Sequence, residues 1–167
     1  MMSSMATTRT GRSQNGAKAA PATEAHREAW LALCRAYAGL TGRLQEALTD
    51  AGLPPMAWFE VLNAVARAPD ERMKMGDLAS ALIISRGGLT KLVDRLVRAG
   101  LLERAFCVED RRVSYAVMTA SGREMFAEME PVVVRELKAA FTTSLSGRQA
   151  AALRDSLDRI SATTCSG

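Results

Sequence analysis

The chain has 167 residues, 48% hydrophobic and 24% charged, with a formal net charge of +4. That length suits one compact domain or two very small ones and excludes a large multidomain enzyme, while the composition excludes wholesale disorder and a disulfide scaffold. No run approaches the roughly 18 apolar residues that a membrane helix needs, and the first residues lack the apolar core of a secretory signal, so the expected address is the cytoplasm, with no membrane contact.

Residues 1–23 are rich in Ser, Thr, Gly and Ala and hold Arg9, Arg12 and Lys18 without an acid. They carry too little large apolar surface to offset the entropy of ordering, and are expected to form a disordered basic arm. From Glu24 onward Trp30, Leu33, Tyr37, Leu40, Leu44, Ala47 and Ala51 recur at threes and fours behind Thr23 as N-cap. That spacing predicts a long helix, ended by Gly52, Pro54 and Pro55. A second, short amphipathic helix is expected over 55–67, with Phe59, Leu62 and Val65 or Ala66 inward and Pro69 and Asp70 as the stop.

Residues 75–82 read as a short helix, Ile83 and Ile84 as a tight link, and Ser85 as the cap of a longer helix over 85–99. In it Leu89, Leu92, Val93 and Leu96 are spaced i, i+3, i+4, i+7 and form one apolar stripe, which turns Arg86, Thr90, Lys91, Asp94 and Arg98 outward. Gly100 is expected as a left-handed C-cap. The period then changes to two over 101–106 and 112–118, a predicted hairpin around residues 107–111. Thr119 caps a last long stretch with Met125, Met129, Val132, Leu137 and Phe141 at helical spacing, expected to bend or break at Pro131. Ser146 to Gln149 reads as a capping box opening a final helix with Leu153, Leu157 and Ile160.

The fold class is therefore mainly α with a small β-hairpin, and helix, turn, helix, hairpin is the order of a winged helix-turn-helix. Charge follows the same division. Residues 72–123 carry ten bases against five acids, whereas the flanks 24–71 and 124–167 hold nine bases and thirteen acids. A solvated charged surface accounts for such counts; polyanion binding by the middle third is the sharper reading.

The physics of each piece suits duplex DNA. A major groove about 12 Å wide admits one helix. A helix opening at Ser85 directs free N–H groups and a positive dipole end toward phosphate, Arg86, Thr90 and Lys91 can reach base edges or backbone, and Arg95 and Arg98 can hold flanking phosphates. Gly87 and Gly88 each cost about 1 kcal/mol of helix propensity relative to Ala. They sit where close approach to a groove favours missing side chains, although a loose first turn explains them too. At the hairpin tip Asp110 and Arg112 either pair with each other or free the arginine for the narrow minor groove.

The run from Leu82 through Ser85-Arg86-Gly87-Gly88-Leu89-Thr90-Lys91 to Gly100-Leu101-Leu102-Glu103-Arg104, followed by Asp110-Arg111-Arg112 and Met118-Thr119-Ala120-Ser121-Gly122, resembles the MarR (multiple antibiotic resistance regulator) family. Helix order matches from about residue 28 to 162. The resemblance implies a homodimer with interlocked terminal helices (24–52 and 120–163), whose winged lobes (55–119, within a domain over 24–167) read two halves of a near-palindromic double-stranded operator. It also implies a transcriptional repressor, less often an activator, often released by a small aromatic ligand. Onto this pattern Ser85, Arg86, Gly88, Thr90, Lys91 and Arg95 fall in the recognition helix and Asp110 and Arg112 in the wing, with Arg98 and Arg111 adding DNA-facing charge. The sequence departs from the family pattern in a short wing carrying Cys107, in Met118 where the family usually has Leu, and in the long basic arm. Beside the resemblance, the first and last helices carry wide apolar faces that a thin domain cannot cover alone, which a partner chain would.

Other chemistry finds little support. His26 is the one histidine and has no Cys or Asp partner in sequence, so no catalytic residue, metal site or cofactor is expected. Cys34, Cys107 and Cys165 lack C-x-x-C spacing; Cys34 is expected as a buried inert thiol, and oxidation of Cys107 in the wing would make a redox-sensing regulator the alternative. A further alternative is a winged-helix protein-interaction module without DNA binding, with the acidic flanks as its partner surface. An effector pocket, if formed, is expected between dimer helices and winged lobe, from Trp30, Tyr37, Trp58, Phe59 and Met75, although such aromatics more often serve as core.

Overall fold

A computed structural model describes residues 23–82, 85–106 and 113–164, with the backbone alone for Arg86 and Thr164. Residues 1–22 of the predicted arm (1–23), the link at Ile83 and Ile84, the hairpin tip with Cys107, Asp110, Arg111 and Arg112, and Cys165 lie outside the described residues. In order come α1 (Glu24–Asp50), α2 (Met56–Ala66), a 3-10 turn (Pro69–Glu71), β1 (Arg72–Lys74), α3 (Met75–Ala81), α4 (Arg86–Arg98), β2 (Leu102–Phe106), β3 (Ser114–Met118), α5 (Ala120–Ser144) and α6 (Gly147–Thr164). No described helix is long and apolar enough to cross a membrane.

The chain divides into two compact units, one ending at Cys34 and a larger one starting at Arg35. In the first, Thr23 opens α1 as predicted. Its carbonyl accepts the His26 N–H at 3.0 Å while its own N–H donates to His26 Nδ1 at 3.0 Å, so the lone histidine fills the return position of a capping box. Arg27 pairs with Glu24 one turn away. Trp30 is 63% exposed and Cys34 is a free, half-buried thiol, not the fully buried one expected from the apolar stripe.

In the larger unit the core is one cluster built by the predicted faces. Leu44 and Leu48 of α1 join Phe59, Val61, Leu62 and Val65 of α2, Leu78 of α3, Leu89, Leu92, Val93 and Leu96 of α4, and Met129 and Val133 of α5. Each such side chain contributes about 1.5–3 kcal/mol by leaving water. The i, i+3, i+4, i+7 stripe of α4 is thus what seats that helix. Phe59 stacks on Phe126 of α5 with ring centroids 5.6 Å apart. Pro55 supplies no side-chain cap to α2, and Gln45 of α1 accepts the Met56 N–H at 3.0 Å instead.

Gly52 (φ +69) and Gly100 (φ +74) end their helices in the left-handed region, each followed by a residue whose N–H reaches back to the helix, Leu53 to the Leu48 carbonyl and Leu101 to that of Leu96. Ser85 accepts the Gly88 N–H at 3.2 Å, Thr119 that of Gly122 at 3.0 Å, and Ser146 with Gln149 forms the predicted reciprocal box.

Two expectations need correcting. The hairpin strands sit in a three-stranded antiparallel sheet of order β1-β3-β2, with Arg72 opposite Val117 and Leu102 opposite Met118. β1 is only Arg-Met-Lys, two exposed charges about one apolar residue, and becomes a strand because the edge of β3 needs a partner. It enters from a turn in which Asp70 (φ 55) and Glu71 (φ 49) both take the left-handed region; Glu71 is held by an ion pair from Arg123 Nε. Pro131 does not end the helix: α5 runs unbroken across it. The proline is exposed, and Met129 and Val133 on either side are buried, so packing outweighs the lost backbone bond.

Candidate nucleic-acid interface

Helix α4 presents two faces of opposite character. Leu89, Leu92, Val93 and Leu96 are 4% exposed or less, while Gly87, Gly88, Thr90, Lys91, Arg95 and Arg98 are exposed. Gly88, Lys91, Asp94, Arg95 and Arg98 line one open depression of about 530 Å³ on the outward face. Arg98 Nε donates to the Asp94 carbonyl at 3.2 Å, which keeps its guanidinium along the helix. Among the described residues Lys91 and Arg95 enter no ion pair, so their charge is available to an external anion.

The N-terminus of α4 is fixed by Ser85, whose hydroxyl satisfies one of the four N–H groups that open the helix. At Gly87 an added Cβ would meet nothing within 4 Å. Among the described residues, internal packing therefore does not ask for glycine there. The side chain of Arg86 lies outside the description, as does the wing tip.

The other end of α4 is tied to the rest of the molecule by a joint that sequence spacing did not expose. Thr119 Oγ1 donates to the Gly100 carbonyl at 2.7 Å and accepts the Gly122 N–H, and the Thr119 N–H donates to the Leu101 carbonyl at 3.3 Å. Gly122 is buried against this joint, where a Cβ would collide with the Leu101 carbonyl oxygen and come 2.8 Å from the Met118 sulfur. The Met118-Thr119-Ala120-Ser121-Gly122 run is thus the clamp between the C-cap of α4, the end of β3 and the start of α5. Sequence inspection also missed Arg104 of β2, whose Nη2 lies 2.8 Å from Asp94 Oδ1.

The predicted effector residues are spread over different settings. Tyr37 is 65% exposed, Phe59 is spent on the core stack with Phe126, and Trp58 packs partly buried against the core. Met75 lines a separate depression of about 280 Å³ with Lys74, Gly76, Asp77, Leu89, Val113 and Ser114. Trp30, in the first unit, is exposed. Among the described residues no cluster of three His, Cys, Asp or Glu side chains is placed to hold a metal ion.

A sequence model of the MarR family matches residues 51–113, the stretch that runs from the end of α1 to the start of β3. The structure is similar to AbsC, a MarR family transcriptional regulator from Streptomyces coelicolor, with a TM-score of 0.78 and 28% identity over 89% of this chain and 100% of that one. The MarR family model thus accounts for the central 63 residues of the chain. It is also similar in fold to Sco3205 of the same organism, solved in complex with DNA, with a TM-score of 0.77 and 24% identity over 87% of this chain and 91% of the other. BpsR of Bordetella bronchiseptica, whose DNA binding is regulated by 6-hydroxynicotinic acid, matches with a TM-score of 0.70 and 24% identity over 80% of this chain and 98% of its own. The matched segment carries α3 and α4, the strands β1 and β2 and the outward cations Lys91, Arg95 and Arg98.

Proposed function

We propose that the protein is a transcriptional regulator, acting as a repressor, that binds a near-palindromic operator as a homodimer and occludes the promoter. In this reading α4 lies in the major groove with Arg86, Thr90 and Lys91 at base edges or backbone and Arg95 and Arg98 on flanking phosphates. The wing, with Asp110, Arg111 and Arg112, approaches the minor groove. The observation that carries the proposal is the cationic outer face of α4, anchored by its apolar stripe, capped at Ser85 and clear of side chains at Gly87. The likeness to Sco3205, solved with DNA, supports it.

Dimerisation is supported by apolar groups left in water in the larger unit: Tyr37, Val134, Phe141, Leu153 and Ile160 are all exposed. A partner copy seated on 24–52 and 120–163 would cover them. A basic arm over 1–23 would add sequence-independent attraction. By analogy with the ligand-regulated BpsR, a small aromatic ligand releases the DNA.

Selection of bound duplexes from a random pool tests the whole reading. The expected product is an inverted pair of half-sites whose centres lie about one helical turn, roughly 34–36 Å, apart. A pool that stays unenriched, with no gel shift at low ionic strength, would overturn it.

A further inference from the structure

The depression on the outer face of α4 holds three cations, Lys91, Arg95 and Arg98, and one acid, Asp94. If that face meets DNA, a bare carboxylate among the cations repels the same phosphates they attract. Its charge is not left bare. Arg104 reaches from β2 to set Nη2 2.8 Å from Asp94 Oδ1, with the arginine side chain 25% exposed and the aspartate 48%. Arg104 is itself fixed by its strand, opposite Ala116 of β3, which is fully buried. The guanidinium therefore approaches Asp94 from the protein side, and the outward side of α4 is left to the cations.

We infer that Arg104 is a positioning residue for DNA binding: it cancels the carboxylate that lines the cationic depression of α4. The inference rests on the proposed DNA-binding function and adds to it a residue that acts without touching DNA.

The test is a double-mutant cycle on the full chain, with a labelled duplex that the wild-type protein has selected from a random pool. Arg104→Gln exposes the Asp94 charge and is expected to weaken binding about tenfold or more. Asp94→Asn alone is expected to bind as tightly as wild type or tighter. Asp94→Asn combined with Arg104→Gln is expected to recover to within about threefold of wild type, with an unchanged dependence on salt, because no phosphate contact has been removed. Thermal unfolding of each variant separates loss of fold from loss of binding, and the double variant supplies the folded control.

Wild-type affinity in Arg104→Gln would overturn the inference. So would equal weakening of the single and double variants with a salt slope lower by about one, which would make Arg104 a direct phosphate contact. Weakening by Asp94→Asn alone would overturn it as well, since the carboxylate would then be a contact in its own right. A wild-type chain that binds no duplex would instead remove the proposed function on which the inference stands.

Discussion

The helices from α2 to α4 and the stretch from the second half of α5 through α6 share the same apolar spacing, yet they end in opposite states. In the first, Leu62, Val65, Leu78, Val93 and Leu96 lose all exposure, and α4 is capped by Ser85 and closed by left-handed Gly100. In the second, Phe141, Leu153 and Ile160 remain 39%, 40% and 55% exposed although α6 opens on a well-made capping box. Local signals thus make a helix in both places. What differs is whether the chain itself supplies the surface that the apolar stripe needs. The lesson is that the helices from α2 to α4 bury their apolar stripes within one chain, whereas the second half of α5 and α6 leave theirs exposed, as the proposed dimer requires.

The largest effect should come from breaking that second surface. Leu153→Glu combined with Ile160→Glu changes two exposed side chains outside the core cluster, so the monomer should fold, while burial of two charges opposes any dimer. Sedimentation should give a monomer at micromolar concentration. Affinity for a two-half-site duplex should fall by about 10²- to 10⁴-fold because the avidity of paired lobes is lost. A wild-type chain that already sediments as a monomer would contradict the contrast drawn between the two segments.

Gly87 in α4 and Gly122 at the start of α5 sharpen the comparison. At Gly122 a methyl group meets the Leu101 carbonyl, so Gly122→Ala should destabilise by about 2–3 kcal/mol, read as a lower urea midpoint. At Gly87 the methyl meets nothing, so Gly87→Ala should stabilise by up to about 1 kcal/mol while weakening DNA binding. Equal effects at the two positions would mean that the joint at Leu101 yields easily and that Gly87 has no external neighbour.

Much of this was legible in the sequence because it is written in short-range terms. The α4 stripe, the caps at Ser85, Thr119 and Ser146, and the C-cap at Gly100 each depend on residues within one or two turns. β1 was illegible because three residues with two charges carry no period, and its strand conformation comes from β3, some forty residues away. Pro131 misled because its backbone cost is local while the compensation from Met129 and Val133 is tertiary. The cationic residues of α4 were found by face, but Arg104 and the Thr119 to Gly100 contact were not. Both link different elements, and spacing within one element is silent about them.

Substitution on the outer face of α4 should have an intermediate effect and leave the core untouched. Lys91→Ala should fold as wild type, since the side chain is exposed and enters no ion pair among the described residues. Loss of about 1–3 kcal/mol of binding, confined to one base position in competition assays, would mark a base contact. A uniform loss with a salt slope lower by about one would mark a phosphate contact. Unchanged affinity on every sequence would place DNA elsewhere than on this face.

The smallest effect concerns Glu60, half-buried on α2 inside the otherwise apolar segment. Burial there penalises the charged form and lifts its carboxyl above the ordinary value of 4.5. The folded protein then holds that proton more tightly than the unfolded chain, so its cost to stability is absent below pH 4.5 and grows as pH rises through the lifted value. Glu60→Gln should therefore unfold at a higher temperature than wild type at pH 7, and the gap should close as the pH is lowered toward 4.5. A gap of the opposite sign at neutral pH would mean that the ionised carboxylate is held by an attractive partner, and the segment would be less apolar in its demands than its buried leucines and valines indicate.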